Sequence, residues 1–183
     1  MITTESLLKP KIKIVAVQDD YDINKLSDKI KKQNFSSLLN PEFKILHKNL
    51  NKFKSSWILH AEVNSEVYNY IATTKKIFVN ESLCKVYDDI HVLRCFKCCR
   101  YGHISKNCDN HDICHICAIE HDNSNKCNSN LIKCINCILY NKEHGTKVQT
   151  NHTASDTTNC YVYSLKKEQI INKSDYSTHP LLS

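Results

Sequence analysis

The sequence predicts an α+β chain in two parts, a β-α-β-β-α-β domain followed by an array of small cysteine-rich modules. Three observations carry this. Apolar periodicity alternates between strand-like and helix-like over residues 11 to 90. Ten of the eleven cysteines lie between Cys84 and Cys137, the last is Cys160, and residues 1 to 83 have none. Pairs of cysteines separated by two residues open three successive clusters that also contain histidine. The array spans residues 94 to 163, and residues 164 to 183 are expected to form a weakly structured tail, a short helix and then a frayed end.

Lys11 to Gln18 alternates basic and apolar residues before turning wholly apolar, as a partly buried strand does. After Asp22, a candidate N-cap, Ile23, Leu26 and Ile30 recur at helical spacing and predict a helix over residues 23 to 34. Asn40-Pro41 marks a turn into a strand around Phe43 to Leu50. Asn51 to Ser55 fits a hairpin loop, and Ser56 to Val63 is the returning strand. Asn64-Ser65 can cap a short helix carrying Val67, Ile71 and Ala72. A final pair of strand-like runs, Ile77 to Val79 and Cys84 to Tyr87, closes the domain. The order is that of an RRM-like, ferredoxin-like domain, with two helices on one face of the sheet. On the other face the third strand offers Ile58, His60 and Glu62 and the first Lys11, Lys13 or Val15. These are not the aromatics on which such a sheet stacks bases, so a scaffold or protein-interaction role is expected for it. Trp57 and Tyr70 are expected in the core or at its rim.

Composition excludes several classes. The 183 residues carry 25 basic and 19 acidic groups, a formal charge of +6. No run approaches the roughly 18 apolar residues of a membrane span, and the first residues lack a basic, then apolar, leader, so neither a membrane protein nor a secreted one is expected. Eleven thiols without a leader argue for metal rather than disulfides and for an intracellular home, cytoplasmic or nuclear. Asn34, Asn80, Asn151 and Asn172 begin glycosylation sequons that an Asn-rich chain produces by chance.

The sharpest motif is Cys95-Phe96-Lys97-Cys98-Cys99-Arg100-Tyr101-Gly102-His103-Ile104-Ser105-Lys106-Asn107-Cys108. Cys95, Cys98, His103 and Cys108 give C-x2-C-x4-H-x4-C, a zinc-knuckle spacing. A tetrahedral ion needs four soft or borderline ligands at about 2.0 to 2.3 Å, and the two-residue gap wraps a tight turn around one side of it. Gly102 gives the backbone freedom to turn back to the ion. Cys114, Cys117, His121 and Cys127 repeat the pattern as C-x2-C-x3-H-x5-C. Cys134 and Cys137 open a third cluster that closes with Cys160 and either His152 or His144. His152 is preferred because it keeps the closing half compact, although it leaves Ile138 to Asn151 as a loop inside the site.

Three Zn2+ ions are therefore expected, each supplying the folding free energy of a module too short for an apolar core, about 10 to 16 kcal/mol. Protein fills all four positions, so the sites are structural. Cys84 reads as a small buried hydrophobe and Cys99 as a spare beside a ligand. His111, His115 and His144 read as solvated or supporting residues, and His47, His60, His91 and His179 carry no ligand spacing.

Charge separates the modules. Three thiolates and one Zn2+ sum to about −1 at each. Lys97, Arg100 and Lys106 bring the first to +2; Glu120 and Asp122 against Lys126 bring the second to −2; the third, with two Lys balanced by two acids, stays at −1. Only the first suits phosphate. Phe96 and Ile104 flank its ligands and can meet an unpaired base, with Tyr101 at the edge and Lys97, Arg100 and Lys106 on the backbone. The partner expected is single-stranded RNA or DNA, with no small-molecule substrate. The second and third modules are expected to set spacing or bind protein. Only Arg94 and Arg100 represent arginine, which limits bidentate recognition.

No enzyme is expected. His60-Ala61-Glu62 with Cys95 and Cys98 fits part of a zinc-deaminase signature, but Arg94 stands where that signature has Pro, and Cys95 and Cys98 already have partners in His103 and Cys108. The competing class is a zinc-knuckle adaptor that binds protein and no nucleic acid.

From Lys11 to Tyr163 the chain resembles the Gag-like nucleic-acid-binding proteins of insect non-LTR retrotransposons, of the jockey and X-element kind. KIKIVAV, Val86-Tyr87-Asp88-Asp89, RCFKCCRYGH, KCINC, and Asn151-His152-Thr153-Ala154 leading to Cys160-Tyr161-Val162-Tyr163 carry the resemblance. Members usually have Pro where Tyr161 stands. The resemblance implies a pre-C2HC domain before CCHC knuckles, coating and packaging of RNA, chaperone activity, self-association into ribonucleoprotein, and His152 as the third histidine ligand.

Overall fold

A computed structural model describes residues 7–18, 22–121, 127 and 129–176. The chain divides into two compact units, residues 1–90 with 171–183, and residues 91–170.

The first unit holds β1 (Lys11–Val17), α1 (Ile23–Asn34), β2 (Phe43–Asn51), β3 (Ser56–Val63), α2 (Ser65–Thr74), β4 (Lys76–Val79) and β5 (Ser82–Asp88). Local chemistry explains the helix starts. Asp22 caps α1 by accepting from the Asn24 amide at 2.9 Å, and Asn64 caps α2 by accepting from the Val67 amide at 3.2 Å. Leu26 and Ile30 of α1 and Val67 and Ile71 of α2, each pair four residues apart, are buried against the sheet. The two helices thus cover one face.

All strand pairs are antiparallel, in the order β2-β3-β1-β5-β4. Because β1 and β2 both run against β3, they are parallel to each other with β3 between them. The expected six elements are in fact seven. The closing pair of runs forms a β4–β5 hairpin turned at Asn80, which sits at φ 55, a conformation Asn tolerates better than most residues. β5 takes the place beside β1, and β4 becomes an extra edge strand. Its outer side is covered: the Asn34 carboxamide accepts from the Phe78 amide at 2.7 Å and donates to the Phe78 carbonyl at 2.8 Å, imitating a neighbouring strand.

Period-2 alternation sets the faces. Ile12, Ile14, Leu59, Ala61 and Val63 are buried, so Lys13, Val15, Ile58, His60 and Glu62 point to the other side. Ala16 at φ 64 forms a bulge that returns Val17 to the core. Tyr87 lies opposite Lys13 on the uncovered face, an aromatic there that strand periodicity alone leaves unassigned. Trp57 packs against the core under the Lys48 ammonium, 4.9 Å from its ring, and Tyr70 meets Phe35 edge-on.

Residues 164 to 176 are more ordered than a weakly structured tail. Helix α4 (Tyr161–Asn172) runs on to Lys173, Ser174 bridges Leu8, and Tyr176 enters the core of the first unit with its ring 5.0 Å from Tyr68. Burial pushes the Tyr176 phenol up to about 12. Residues 177 to 183 lie outside the described part. The long separation between Leu8 and Ser174 hides this pairing from any local pattern.

Replacing Tyr176 with Ala removes a ring that is 3% exposed and should destabilise the first unit by about 3 kcal/mol, read from urea unfolding. Zinc content should be unaffected.

Candidate metal centres

The first cluster starts at a tight turn. The Cys95 amide donates to the Arg100 carbonyl at 2.9 Å and the Gly102 amide to the Leu93 carbonyl at 2.9 Å, folding the chain back on itself across Cys95 and Cys98. Two residues take left-handed backbone, Cys99 at φ 60 and Gly102 at φ 105. A Cβ on Gly102 would meet nothing within 4 Å, so backbone conformation, not space, is what demands glycine there. A 3-10 turn, Ser105–Asn107, then delivers Cys108.

The second cluster repeats this turn. The Cys114 amide donates to the Ile119 carbonyl, Ala118 holds φ 60 directly after Cys117 as Cys99 does after Cys98, and the Ile116 amide points at the Cys114 sulfur from 3.4 Å. His121 and Cys127 complete it. Residues 122–126, with Asp122 and Lys126, lie outside the described part.

The third cluster has the same ligand types on a different local backbone. Cys134 is the N-cap of α3 (Ile135–His144), Cys137 sits in its first turn, and Cys160 immediately precedes α4. The first half of the expected fourteen-residue loop, Ile138 to His144, belongs to this helix, which is ended by Gly145 at φ 63. Asn141 folds the return, accepting from the Val148 amide at 2.8 Å and donating to the Val148 carbonyl at 2.9 Å. His152 joins the cluster, 6% exposed, while His144 remains exposed at the end of α3 with its ring 4.4 Å from Tyr140. Ala154 and Val162 give this cluster a small apolar core.

Each cluster brings one ligand atom from three cysteines and one histidine within 4.8 Å of one another. A tetrahedral zinc site has edges of about 3.8 Å between sulfurs and about 3.6 Å between sulfur and nitrogen, given its usual bond lengths. Cys134 to Cys160 is 3.9 Å and Cys137 to Cys160 is 3.7 Å. Sulfur to Nε2 is 3.4 Å for Cys98 and His103 and 3.5 Å for Cys137 and His152. The residues fit three zinc ions, and three thiolates with one imidazole are the donor set this ion favours. Within each cluster the surroundings favour the thiolate at one cysteine and oppose it at another: burial pushes Cys98 up to about 11 and raises Cys117 and Cys137. Burial opposes ionisation of Cys95, but the amides of Cys98 and Lys97 and the Ser105 hydroxyl outweigh it and bring the thiol down to about 6. Burial likewise opposes Cys114, yet the Cys117 and Ile116 amides draw it to about 7. Cys160 is held well below the usual thiol range, chiefly by Cys134.

The clusters are joined rather than strung like beads. The Ile113 amide donates to the Lys97 carbonyl, the Lys133 amide to the Ile116 carbonyl and the Ala154 amide to the His115 carbonyl, all within 2.9 Å. Asn136, 6% exposed, accepts from the Tyr101 amide at 3.1 Å and donates to the Cys99 carbonyl at 2.9 Å, tying α3 to the first turn. The Tyr101 hydroxyl donates to the Ala154 carbonyl at 3.2 Å and approaches the Cys160 sulfur at 3.6 Å. Cys99 is buried with its thiol donating to the Ile113 carbonyl at 3.1 Å. It is a packing residue between clusters. Nothing in ligand spacing marks Asn136; its only signal is a polar side chain inside KCINC.

The residues expected to touch nucleic acid fall into two groups. Phe96 is 80% exposed beneath the Arg94 guanidinium, 5.1 Å from its ring centre, and Ile104 is 47% exposed. Both border a hollow of about 340 Å3 together with Leu93 and Thr157. Lys106 is exposed, whereas Lys97 and Arg100 are half-buried and Tyr101 faces inward. His60 and Glu62 belong to the first unit, where His60 holds Asp89 at 2.7 Å and Asn49 at 3.2 Å, outside every cluster. Cys84 is a core residue of β5.

Native mass spectrometry should find three zinc ions, two after His152→Ala, and three after either His144→Ala or Cys99→Ser. Asn136→Ala leaves the Tyr101 amide and Cys99 carbonyl unsatisfied, so it should destabilise the zinc-loaded second unit by about 2 kcal/mol in urea while all three ions stay bound.

Comparison with protein-family models, with curated proteins and with solved structures finds no match, so the function must be argued from the residues themselves.

Proposed function

We propose that this is a zinc-dependent protein that binds single-stranded nucleic acid, RNA in the first place, and performs no catalysis. The observation that carries the reading is the surface of the first cluster. Phe96 and Ile104 are exposed beside its ligands, with Arg94 over the ring and Lys106 open to solvent. An exposed flat ring with cations beside it is the arrangement that stacks an unpaired base and holds its phosphates. Arg100 and Lys97 add charge to the same module without lying fully on the surface.

The role that follows is the one implied by the resemblance to Gag-like retrotransposon proteins: coating and packaging RNA, chaperoning its pairing, and self-associating in an intracellular ribonucleoprotein. The sheet order supports an RRM-like assignment of the first unit, with β5 standing where such domains have their fourth strand and β4 added outside it. Among the described residues no helix is long and apolar enough to cross a membrane.

An adaptor that binds protein is the second reading. Ile119, Leu131 and Ile132, each at least half exposed around the second and third clusters, favour protein contact there. The two readings can hold for different faces of one unit.

Salt dependence separates them. For about four neutralised phosphates, log K for single-stranded RNA should fall against log salt with a slope of about −3. Phe96→Ala should weaken binding about fivefold or more with the slope unchanged. No binding at low salt would leave the adaptor reading.

A further inference from the structure

The β2–β3 ribbon of the first unit carries a run of cations without an acid, as residues 90 to 108 around the first cluster also do. From Phe43 to Ala61 there are four lysines, Lys44, Lys48, Lys52 and Lys54, two histidines and no acidic residue, in a protein with 19 acidic side chains. The ribbon ends in a tight loop, and at its tip Phe53 is fully exposed between exposed Lys52 and Lys54.

This tip is an ordered turn. The Asn51 side chain accepts from the Phe53 amide at 3.2 Å, the Asn51 carbonyl accepts from the Lys54 amide at 3.2 Å, and Ser55 takes φ 45 to re-enter β3. The Phe53 ring buries no area in the fold, so it contributes nothing to the core. A ring held out on a hydrogen-bonded turn, with an exposed lysine before and after it in the chain, loses little freedom when a flat apolar partner arrives.

We infer that the β2–β3 ribbon is a second contact for single-stranded nucleic acid, with Phe53 stacking on an unpaired base and Lys52 and Lys54 on the flanking phosphates. The inference rests on the nucleic-acid reading above but on none of the residues of the first cluster. Charge complementarity selects the occupant. The turn end of the ribbon, where Lys48, Lys52 and Lys54 have no acid among them and Glu62 lies at the far end opposite Lys44, calls for a polyanion, and a ring between two cations matches a chain in which bases alternate with phosphates. A duplex hides the base faces that the ring would meet. A lipid surface fits less well, because one phenyl ring buries far less apolar area than an interfacial anchor needs.

The test uses the full-length, zinc-loaded protein and a labelled oligouridine RNA, followed by fluorescence anisotropy across a salt series. Phe53→Ala should weaken binding about fivefold or more without changing the salt slope. Lys52→Gln with Lys54→Gln should reduce the slope by about 1.4, two phosphates' worth. Neither change reaches the core, and unaltered urea unfolding confirms that the fold is intact. If both variants bind as the parent does while Phe96→Ala still weakens binding, the ribbon is not a contact and the reading of the first cluster survives. If the parent itself binds no RNA at low salt, both fall. If Phe53→Ala lowers co-sedimentation with phosphatidylserine vesicles but leaves RNA affinity untouched, the ribbon faces lipid and the inference is overturned.

Discussion

Convergence of four ligand atoms on one point, repeated three times, is the constraint on which the second unit depends. The chain from His91 to Ile170 contains two short helices, one 3-10 turn and no strand among its described residues, beyond the single bridge between Arg94 and Tyr101. Among its described residues the only apolar cluster is small and includes four cysteines. Such a segment buries too little apolar area to offset the entropy of ordering its backbone. A zinc ion held by three thiolates and an imidazole supplies the difference, on the order of 10 to 16 kcal/mol per site.

The ions do more than close separate loops. Asn136, Tyr101 and Cys99 connect the third cluster to the first, so the turn that presents Phe96 and Ile104 is braced by α3 and by the Cys160 region. Both knuckle turns place a residue with positive φ just after the second cysteine, and here it is Cys99 or Ala118 rather than glycine. The strain of a Cβ in that conformation is carried by the surrounding hydrogen bonds and, in Cys99, repaid by burial of the side chain. The exposed Phe96 and Ile104 thus stand on a braced base.

Features set by neighbours in sequence were legible in advance. Asp22 and the spacing of Leu26 and Ile30 place α1 at residues 23 to 34 without reference to the fold, because capping and helical periodicity are local. Ligand spacing is equally local, which is why the cysteine and histidine groupings could be read from it, with His152 preferred to His144. Features set by distant residues were not legible. Nothing near Tyr176 indicates that it packs on Tyr68, and nothing near Asn136 indicates that it binds the backbone of residues 99 and 101. The extra strand β4 was hidden because two short runs joined by a turn look the same whether one or both enter the sheet. Helix α3 was hidden inside a gap read as loop, since a metal ligand at each end drew attention from the apolar and helix-forming residues between.

The two units divide the labour between two kinds of stability. An apolar core holds the sheet and its helices, and metal coordination holds the array. Removal of zinc by a strong chelator, followed by circular dichroism, amide-resolved NMR and RNA binding, tests this most directly. The account predicts that amide signals from residues 95 to 160 collapse to random-coil positions and RNA affinity falls sharply, while those of β1 to β5 keep their dispersion. Retention of structure over residues 95 to 160 and of full affinity after three ions have been removed would contradict it.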